Sequence, residues 1–236
     1  MASQAHFVVP ALEPTSLPVA GSGARFPVRR IYCVGRNYVE HIREMGGDEE
    51  REPPVFFQKP TDCIVQDGAV IAYPLMTANY HYELELVVAL KSGGRNIPKS
   101  KALDHVYGYG IGLDMTRRDR QKDMMGQGLP WEIGKSFDEA CPCGPIHPVA
   151  QVGHVAKGAI KLVVDGAARQ DSVLEKMIWK VPEIIANLSK FFELRAGDII
   201  LTGTPHGVGP VVSGNKLVGT IDGLGSLTVT VGPKAG

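Results

Sequence analysis

Two glutamates, Glu83 and Glu85, stand two residues apart in an otherwise apolar and aromatic segment, residues 82–90. Side chains two apart on a strand point to the same face, roughly 7 Å from each other. Two ionised carboxylates in such a setting repel unless a cation lies between them. The pair therefore predicts either a divalent metal site or a solvated strand face with an Arg or Lys opposite.

A third carboxylate, Asp114, follows a predicted strand with glycine at every second position, residues 108–112. Alternate glycines leave one face of a strand bare, so a neighbouring backbone or a ligand can approach closely. Asp114 could cap the helix that follows. It could also join Glu83 and Glu85 as the third oxygen ligand of a hard cation such as Mg²⁺, and the two roles are compatible.

Three further polar residues follow Asp114. Arg118 and Gln121 share one face if residues 116–125 form a helix, and that face would point toward the proposed metal. In the segment 131–137, strand alternation places Lys135 in a row with Trp131 and apolar neighbours. Burial there would lower the pKa of Lys135 unless an anion compensates, as is common in active sites, whereas at a sheet edge the lysine would reach solvent.

Two other places could take part. His41 and Glu44 are three residues apart in a predicted short helix, 38–45, a spacing at which a carboxylate can orient an imidazole or form an ordinary surface pair. The strand that ends near Thr202 runs into a glycine-rich loop without the lysine of a phosphate-binding loop. Its backbone N–H groups and the Thr204 hydroxyl could hold a substrate carboxylate.

The elements that must position these residues are mostly strand-length. The chain of 236 residues contains 28 glycines and 17 prolines, which favour strands and tight turns over long helices. We predict a mainly β fold with short helices, in the α+β class. Apolar runs predict strands at 7–9, 31–34, 55–57, 69–71, 82–90, 107–114, 160–164, 199–202 and 227–231, and helical spacing predicts helices at 116–125 and 181–192.

Composition excludes several classes of function. Equal numbers of basic and acidic residues, 25 each, give no net field toward nucleic acid, and no run of eighteen apolar residues could cross a membrane. The N-terminus shows no export signal, so we expect a cytoplasmic protein. The Cys141-Pro142-Cys143 segment lacks the second ligand pair of a zinc site, which favours two free thiols over a metal or redox role.

Taken together, these residues resemble the fumarylacetoacetate hydrolase family from about Ile31 to Val231. The matching motifs are VGRNY at 34–38, FQKP at 57–60, YELE at 82–85, GLDMTRRD at 112–119, KSF at 135–137 and Gly203-Thr204-Pro205.

The resemblance implies a mixed β-sandwich roll, with residues 1–28 as an N-terminal extension packed on a catalytic domain at 29–236. It implies a homodimer that binds Mg²⁺ or Mn²⁺ through Glu83, Glu85 and Asp114. His41 and Glu44 would activate water on a lid, and Lys135 would act beside them. The residues expected to bind substrate are Arg36, Arg118, Gln121 and Thr204.

The implied activity is metal-dependent hydrolysis of a carbon–carbon bond in a small-molecule 2-oxo acid, an acylpyruvate. Fumarylpyruvate, cleaved to fumarate and pyruvate in gentisate breakdown, is the expected substrate. Its distal carboxylate would need a cation or N–H cluster, for which Arg36, Lys59 and the loop near Thr204 are candidates. The same site could instead serve oxaloacetate decarboxylation or 2-hydroxy-dienoate isomerisation, or bind a carboxylate and a metal without turnover.

We predict that His41→Ala or Glu44→Gln lowers hydrolysis about 10²- to 10⁴-fold, because each removes part of the general base. Steady-state rates with an acylpyruvate and Mg²⁺ would measure the loss. Oxalate binding at the metal should survive in both variants. Parental rates would show that the pair takes no part in proton removal.

Overall fold

The computed structural model describes residues 7–38 and 53–236. Strands are its main regular elements. In chain order they are β1 Ser16–Pro18, β2 Arg25–Pro27, β3 Arg30–Gly35, β4 Val55–Lys59, β5 Ile64–Gln66, β6 Val70–Tyr73, β7 Tyr80–Tyr82, β8 Leu84–Leu90, β9 Val106–Leu113, β10 Thr116–Arg117, β11 Cys141–Cys143, β12 His147–Pro148, β13 Ala159–Val164, β14 Ala167–Val173, β15 Asp198–Leu201, β16 Gly209–Pro210, β17 Lys216–Ile221 and β18 Gly225–Lys234.

These strands form one large sheet and three smaller ones. The large sheet has the order β4-β3-β15-β8-β9-β11-β5, with β12 added beside β9, and a five-stranded sheet has the order β14-β13-β17-β18-β6. The smaller sheets are β10-β7-β16 and the β1-β2 hairpin. Pairing is mixed, since β3 and β15 run parallel whereas β8 is antiparallel to both of its neighbours. The predicted mainly β class is confirmed.

Helices are few and short. They are α1 Arg118–Gly126, α2 Glu132–Lys135, α3 Val149–Val152 and α4 Val181–Phe191, with 3₁₀ turns at Thr61–Cys63, Lys99–His105 and Leu174–Lys176. In α4 the buried Ile184, Ile185 and Leu188 follow the predicted helical spacing. None of the helices in the described part of the chain is long and apolar enough to cross a membrane.

Three predicted strands differ from those observed. The segment 7–9 is not a strand, and its apolar side chains are exposed. The segment 131–137 contains the single helical turn α2 instead of a strand, because Ser136 N–H and Lys135 N–H bond back to Glu132 and Trp131 carbonyls. The predicted strand 82–90 is broken at Glu83, where the chain leaves the three-stranded sheet and enters the large one.

The N-terminal extension contacts the core through the β1-β2 hairpin. Leu17 and Phe26 on this hairpin are buried, and the Ile146 N–H donates to the Pro18 carbonyl at 2.8 Å. The boundary at residue 28 between an extension and a catalytic domain stays a prediction. The predicted helix 38–45 lies outside the described residues except for Tyr38.

The register of the large sheet brings several strand ends together. Leu84 at the start of β8 pairs with Leu113 at the end of β9, so Asp114 comes to lie opposite Glu83, whose carbonyl accepts its N–H at 2.8 Å. β15 ends beside the same part of β8, and β3 runs parallel to β15 and ends at the same edge. The loops after β3, β9 and β15 therefore meet the first residues of β8.

The alternate glycines of β9 allow other segments to approach closely, as the sequence predicts. A Cβ atom at Gly108 would lie 2.3 Å from the His147 carbonyl oxygen, and one at Gly112 would lie 2.7 Å from a methyl group of Val87. Gly112 pairs with Glu85 in the adjacent strand. The bare face thus lets β9 pack tightly where the site is built.

We predict that Gly108→Ala lowers the free energy of unfolding by about 3 kcal/mol, because the new methyl group must displace backbone. Gly126→Ala is the matched control, since nothing lies within 4 Å of its Cβ position at the end of α1. That variant should be unchanged or stabilised by up to about 1 kcal/mol. Denaturant unfolding would compare them, and equal stabilities would contradict the close approach.

Candidate active site

The three predicted metal ligands lie together at the edge where the strands end. Glu83, Glu85 and Asp114 each place one carboxylate oxygen so that the three oxygens lie within 4.8 Å of one another. Their residues are only 5, 2 and 1 % exposed. No other cluster of three such ligands occurs among residues 7–38 and 53–236. Asp114 does not cap α1, which begins four residues later at Arg118.

Lys135 is buried at the centre of this cluster. Its ammonium group donates to Glu83 Oε2, Asp114 Oδ2 and Thr116 Oγ1, each at 2.8 Å, which uses all three of its hydrogens. Of the two alternatives for Lys135, the buried one is observed, although a helical turn and not a strand places it there. Gly134 makes the turn possible, since a Cβ at that position would lie 2.8 Å from the Gln121 backbone nitrogen.

Arg118 and Gln121 converge on the same place, as predicted from their spacing on one helix. The Arg118 guanidinium forms an ion pair with Glu83 Oε1 and donates to Gln121 Oε1 at 2.5 Å. Both residues are buried. The arginine therefore fixes the second oxygen of Glu83, while Gln121 directs the arginine.

A second lysine, Lys59, lies behind the cluster. Its ammonium is 2.9 Å from Asp114 Oδ1 and donates to the backbone carbonyls of Met115 and Lys135. Burial is the largest effect and opposes its charge, but Asp114 and the neighbouring cysteines together outweigh it and raise the pKa of Lys59 above its usual value. Since Lys59 is fully buried on these partners, the expectation that it could bind a distal substrate carboxylate is wrong.

Glu85 stands apart from the other two carboxylates. Its Oε2 accepts the Gly203 N–H at 2.6 Å, but no Lys or Arg nitrogen of the described residues lies within 4.0 Å of it. Burial raises the pKa of Glu85 well above its ordinary value, and the charges of Asp114 and Glu83 raise it further. The left-handed φ of Gly203, +94°, turns the backbone so that its N–H reaches this oxygen.

The donor set fits a divalent cation. Carboxylate oxygens are the ligands that Mg²⁺ and Mn²⁺ prefer. Within residues 7–38 and 53–236, Glu85 lacks a cationic partner, and Asp114 Oδ1 receives no properly directed hydrogen bond although Lys59 is near. A positive ion between the three oxygens would satisfy both groups.

Thr204 and Arg36 complete the polar side of the pocket. Thr204 is buried, and its hydroxyl donates to the Leu84 carbonyl at 2.9 Å. Arg36 is exposed at the pocket and has a left-handed φ of +57°, directly after β3. His41 and Glu44 lie outside the described residues, so their predicted role stays a prediction.

The pocket has an apolar side as well. Phe57, Met125 and Trp131 line it together with the polar residues, around about 450 Å³ of space that includes open solvent. The Trp131 and Phe57 rings lie 5.7 Å apart, and the Lys135 ammonium lies 5.2 Å from the Phe57 ring. A ligand with an acidic end and a flat carbon chain matches both sides.

Comparison with known proteins agrees with this geometry. The family model for the C-terminal domain of fumarylacetoacetate hydrolase matches residues 30–232. The chain belongs to the fumarylacetoacetate hydrolase family. Family membership was therefore correctly inferred from the six sequence motifs.

Two relatives and one solved structure illustrate the range of the family. Fumarylpyruvate hydrolase of Ralstonia sp is 45% identical over 186 residues, 79% of this chain and 96% of that protein. The mitochondrial oxaloacetate tautomerase FAHD1 of Homo sapiens is 42% identical over 203 residues, 86% of this chain and 91% of that protein. The crystal structure of fumarylpyruvate hydrolase from Pseudomonas aeruginosa with Mn²⁺ and pyruvate is 53% identical, covers 97% of this chain and 100% of that chain, and gives a TM-score of 0.95.

Sequence reasoning missed two residues of this site, His81 and Gln170, and gave a third, Lys59, a different role. Lys59 supports Asp114, His81 Nδ1 lies 3.4 Å from Arg118 Nε, and Gln170 bonds to Thr204. Gln170 carried a usable signal, since it is an amide at an inward-facing position of an alternating strand. The partners of all three come from distant parts of the chain, so spacing along the sequence could not reveal them.

The free cysteines take no part in the pocket. Cys33, Cys63, Cys141 and Cys143 are all buried and unbridged. The Sγ atoms of Cys141 and Cys143 lie 3.8 Å apart on β11. The expectation of two free thiols in this segment agrees with the structure.

We predict opposite effects of Glu83→Gln and Glu85→Gln on the metal-free protein. Glu83→Gln leaves the buried Arg118 without its anion and Lys135 with Asp114 alone, which should lower the free energy of unfolding by about 3 kcal/mol. Glu85→Gln removes a carboxyl whose pKa is raised on folding, so the folded state binds its proton more tightly than the unfolded state. Ionised Glu85 therefore opposes folding increasingly as the pH rises above the ordinary glutamate pKa, and its removal should raise stability at pH 7.

Denaturant unfolding in chelator at pH 7 and near pH 4 would measure both effects. The gain from Glu85→Gln should disappear near pH 4, where the unfolded chain also begins to hold the proton. Added Mn²⁺ should stabilise the parent and neither variant. An equal loss of stability in both variants would contradict the difference between the two carboxylates.

Proposed function

We propose that this chain is a metal-dependent hydrolase that cleaves a carbon–carbon bond of an acylpyruvate, with fumarylpyruvate as its substrate. The observation that carries the proposal is a pocket in which Glu83, Glu85 and Asp114 converge and Lys135 contacts two of them. The similarity to fumarylpyruvate hydrolases, at 45 and 53% identity, supports the choice of substrate.

The proposed reaction adds water to the acyl carbonyl carbon. The bond between that carbon and C3 of the pyruvate unit then breaks, and its electron pair forms the enolate of pyruvate, which takes up a proton at C3. The products are fumarate and pyruvate. We assign the removal of the proton from water to His41 and Glu44, both outside the described residues.

The charges of the pocket favour this leaving group. Three carboxylates face three cations, namely Lys59, Lys135 and Arg118. A divalent ion bound by Glu83, Glu85 and Asp114 would supply two further positive charges as a Lewis acid for the 2-oxo acid. The enolate of pyruvate carries two negative charges, so its formation brings the pocket close to neutrality.

Lys135 is the cation that can act on the reacting atoms. All three of its hydrogens are used within the protein, two of them by Glu83 and Asp114. If one of these carboxylates bound the metal in place of the Lys135 ammonium, Lys135 would have a hydrogen available for the substrate. A donor fixed beside a developing enolate stabilises the transition state more than the neutral ketone.

The far end of the substrate would lie toward Arg36. The flat unsaturated chain of a fumaryl group fits the apolar side formed by Phe57, Met125 and Trp131. Arg36 is exposed and lines the pocket, so its guanidinium could meet the second carboxylate, whereas Arg118 and Lys135 lie buried at the carboxylate cluster.

The metal ion, the oligomeric state and the location complete the proposal. The Mn²⁺ in the Pseudomonas aeruginosa relative supports Mn²⁺ or Mg²⁺ as the ion. A homodimer, a cytoplasmic location and a place in gentisate breakdown rest on the family resemblance alone.

Oxaloacetate chemistry is the second candidate. The 42% identity with a human oxaloacetate tautomerase favours it. Oxaloacetate presents the same 2-oxo acid group to the metal, and its tautomerisation or decarboxylation passes through a related enolate. It has no acyl chain to cover Phe57, Met125 and Trp131, which leaves that side of the pocket unused.

We predict that fumarylpyruvate is preferred over acetylpyruvate by at least about tenfold in kcat/KM, because one charge-assisted contact to the distal carboxylate contributes about 1.5–3 kcal/mol. Arg36→Met should lose this preference by slowing fumarylpyruvate only. Arg25→Met, at an exposed arginine paired with Ser16 in the N-terminal hairpin, is the control.

Rates with Mn²⁺ and a panel of 2-oxo acids, with products identified, would decide between the candidates. Equal kcat/KM for the two acylpyruvates would remove the case for a distal carboxylate site. Faster tautomerisation or decarboxylation of oxaloacetate than hydrolysis of either would favour the second candidate. Full activity after exhaustive chelation would exclude the metal mechanism.

A further inference from the structure

A gap in the large sheet lies next to the candidate ligands. β15 pairs with β8 only as far as Leu201 opposite Val87, and Thr202 N–H then donates to the Leu86 carbonyl at 3.1 Å. The chain turns away at Gly203. The N–H and C=O of Leu84, which lies between Glu83 and Glu85, therefore face a place where the neighbouring strand has ended.

Two side chains occupy this place. Gln170 Oε1 accepts the Leu84 N–H at 3.0 Å, and the Thr204 hydroxyl donates to the Leu84 carbonyl at 2.9 Å. Gln170 Nε2 also donates to Thr204 Oγ1 and to the Pro205 carbonyl, both at 2.9 Å. The two side chains thus replace the missing strand and bind each other.

The backbone groups at the two ends of this network determine the direction of every hydrogen bond in it. Leu84 N–H can only donate, so the oxygen of the Gln170 amide must face it, and the Pro205 carbonyl can only accept, so the nitrogen must face that side. Thr204 Oγ1 then accepts from Gln170, and its own hydrogen goes to the Leu84 carbonyl. The Thr204 hydroxyl has no hydrogen left for a substrate.

Gln170 also joins two sheets at this point. It lies on β14 of the five-stranded sheet, in a row with Leu162 and Gly219 of the adjacent strands. Gly219 packs on the same leucine, since a Cβ there would lie 2.4 Å from Leu84 Cδ1. Both Gln170 and Leu84 are essentially inaccessible to solvent, at 1 and 0 % exposure.

We propose that Gln170 is a positioning residue that fixes the Glu83-Leu84-Glu85 backbone and commits the Thr204 hydroxyl to the protein. Its amide sets the peptide between two metal ligands in place before any ion binds. Among the described residues no acceptor takes the Thr204 backbone N–H, so this N–H, and not the hydroxyl, is the donor that Thr204 offers to a substrate. Only this last step rests on the proposed function.

Mn²⁺ binding by calorimetry tests the positioning role without any substrate. Gln170→Leu should weaken Mn²⁺ binding about tenfold or more, as is typical when a residue that orients metal ligands is lost. Ser172→Ala is the matched control, because Ser172 is buried on the same face of β14 and its hydroxyl has no partner among the residues that the structure describes. This control should bind Mn²⁺ like the parent.

The Gln170→Glu variant distinguishes the contribution of the accepting amide oxygen from that of the donating amide nitrogen. Its carboxylate can still accept the Leu84 N–H but cannot donate to Thr204 or Pro205, so it should also weaken Mn²⁺ binding, by less than Gln170→Leu. If Gln170→Leu does not fold, as judged by circular dichroism and thermal unfolding, this variant decides the question. Parental Mn²⁺ affinity in a folded Gln170 variant would overturn the proposal.

Thr204→Val tests whether the hydroxyl belongs to the same network. Combined with Gln170→Leu, it should weaken Mn²⁺ binding by no more than the larger single effect, because both changes break one set of hydrogen bonds. Additive losses would overturn the assignment. If Thr204→Val reduces only acylpyruvate turnover and leaves Mn²⁺ affinity unchanged, the hydroxyl contacts substrate and the proposal is wrong.

The metal measurements also separate this proposal from the proposed function. If the parent binds Mn²⁺ but does not cleave any acylpyruvate, the hydrolase proposal fails while the Gln170 variants still report on positioning. If the parent cleaves fumarylpyruvate and the Gln170 variants bind Mn²⁺ normally, only the positioning role fails.

Discussion

The pairing of Leu84 with Leu113 is the constraint on which the rest of the site depends. It places Asp114 opposite Glu83 and leaves Glu85 two residues further along the chain, in β8. A slip of one residue in this pairing would turn every side chain of β8 to the opposite face of the sheet. Its apolar residues would then lose their packing partners, and the carboxylates would be separated. The buried, fully apolar remainder of β8 makes such a slip costly, so the hydrophobic core of the sheet fixes the geometry of a polar site at its edge.

Charge is arranged around that constraint in an uneven way. Glu83 and Asp114 each contact lysine or arginine nitrogens, whereas in the described part of the chain Glu85 has only the Gly203 N–H. Removing three carboxylates from water is unfavourable unless cations accompany them, and Lys59, Lys135 and Arg118 provide that compensation from three separate elements. The imbalance at Glu85 is the part of the site that a metal ion would correct. A folded protein with this site thus keeps some electrostatic strain where binding is needed.

The pocket exists because neighbouring strands of the large sheet do not end at the same position. β15 ends short of the first residues of β8, and the loop that follows turns away at Gly203. An open strand edge inside a protein must have its N–H and C=O groups satisfied by other means. Here Gln170 from a different sheet accepts the Leu84 N–H, and Thr204 from the loop after β15 donates to the Leu84 carbonyl. The space beside Glu83 and Glu85 thus stays accessible to a ligand while the backbone around it stays fixed.

Much of this protein could be predicted from its sequence by itself. Strand alternation predicted that Glu83 and Glu85 share one face, and helical spacing predicted the same for Arg118 and Gln121, because both patterns depend on local geometry. The motifs around these residues indicated the family. The helical turn that carries Lys135, the sheet change at Glu83, and the roles of Lys59 and Gln170 were decided by tertiary structure. Each of these depends on partners distant in the chain: Lys59 meets Asp114, and Gln170 meets Leu84 and Thr204. Local preference determines which way a side chain points along its own element, but only the packing of separate elements determines what that side chain meets.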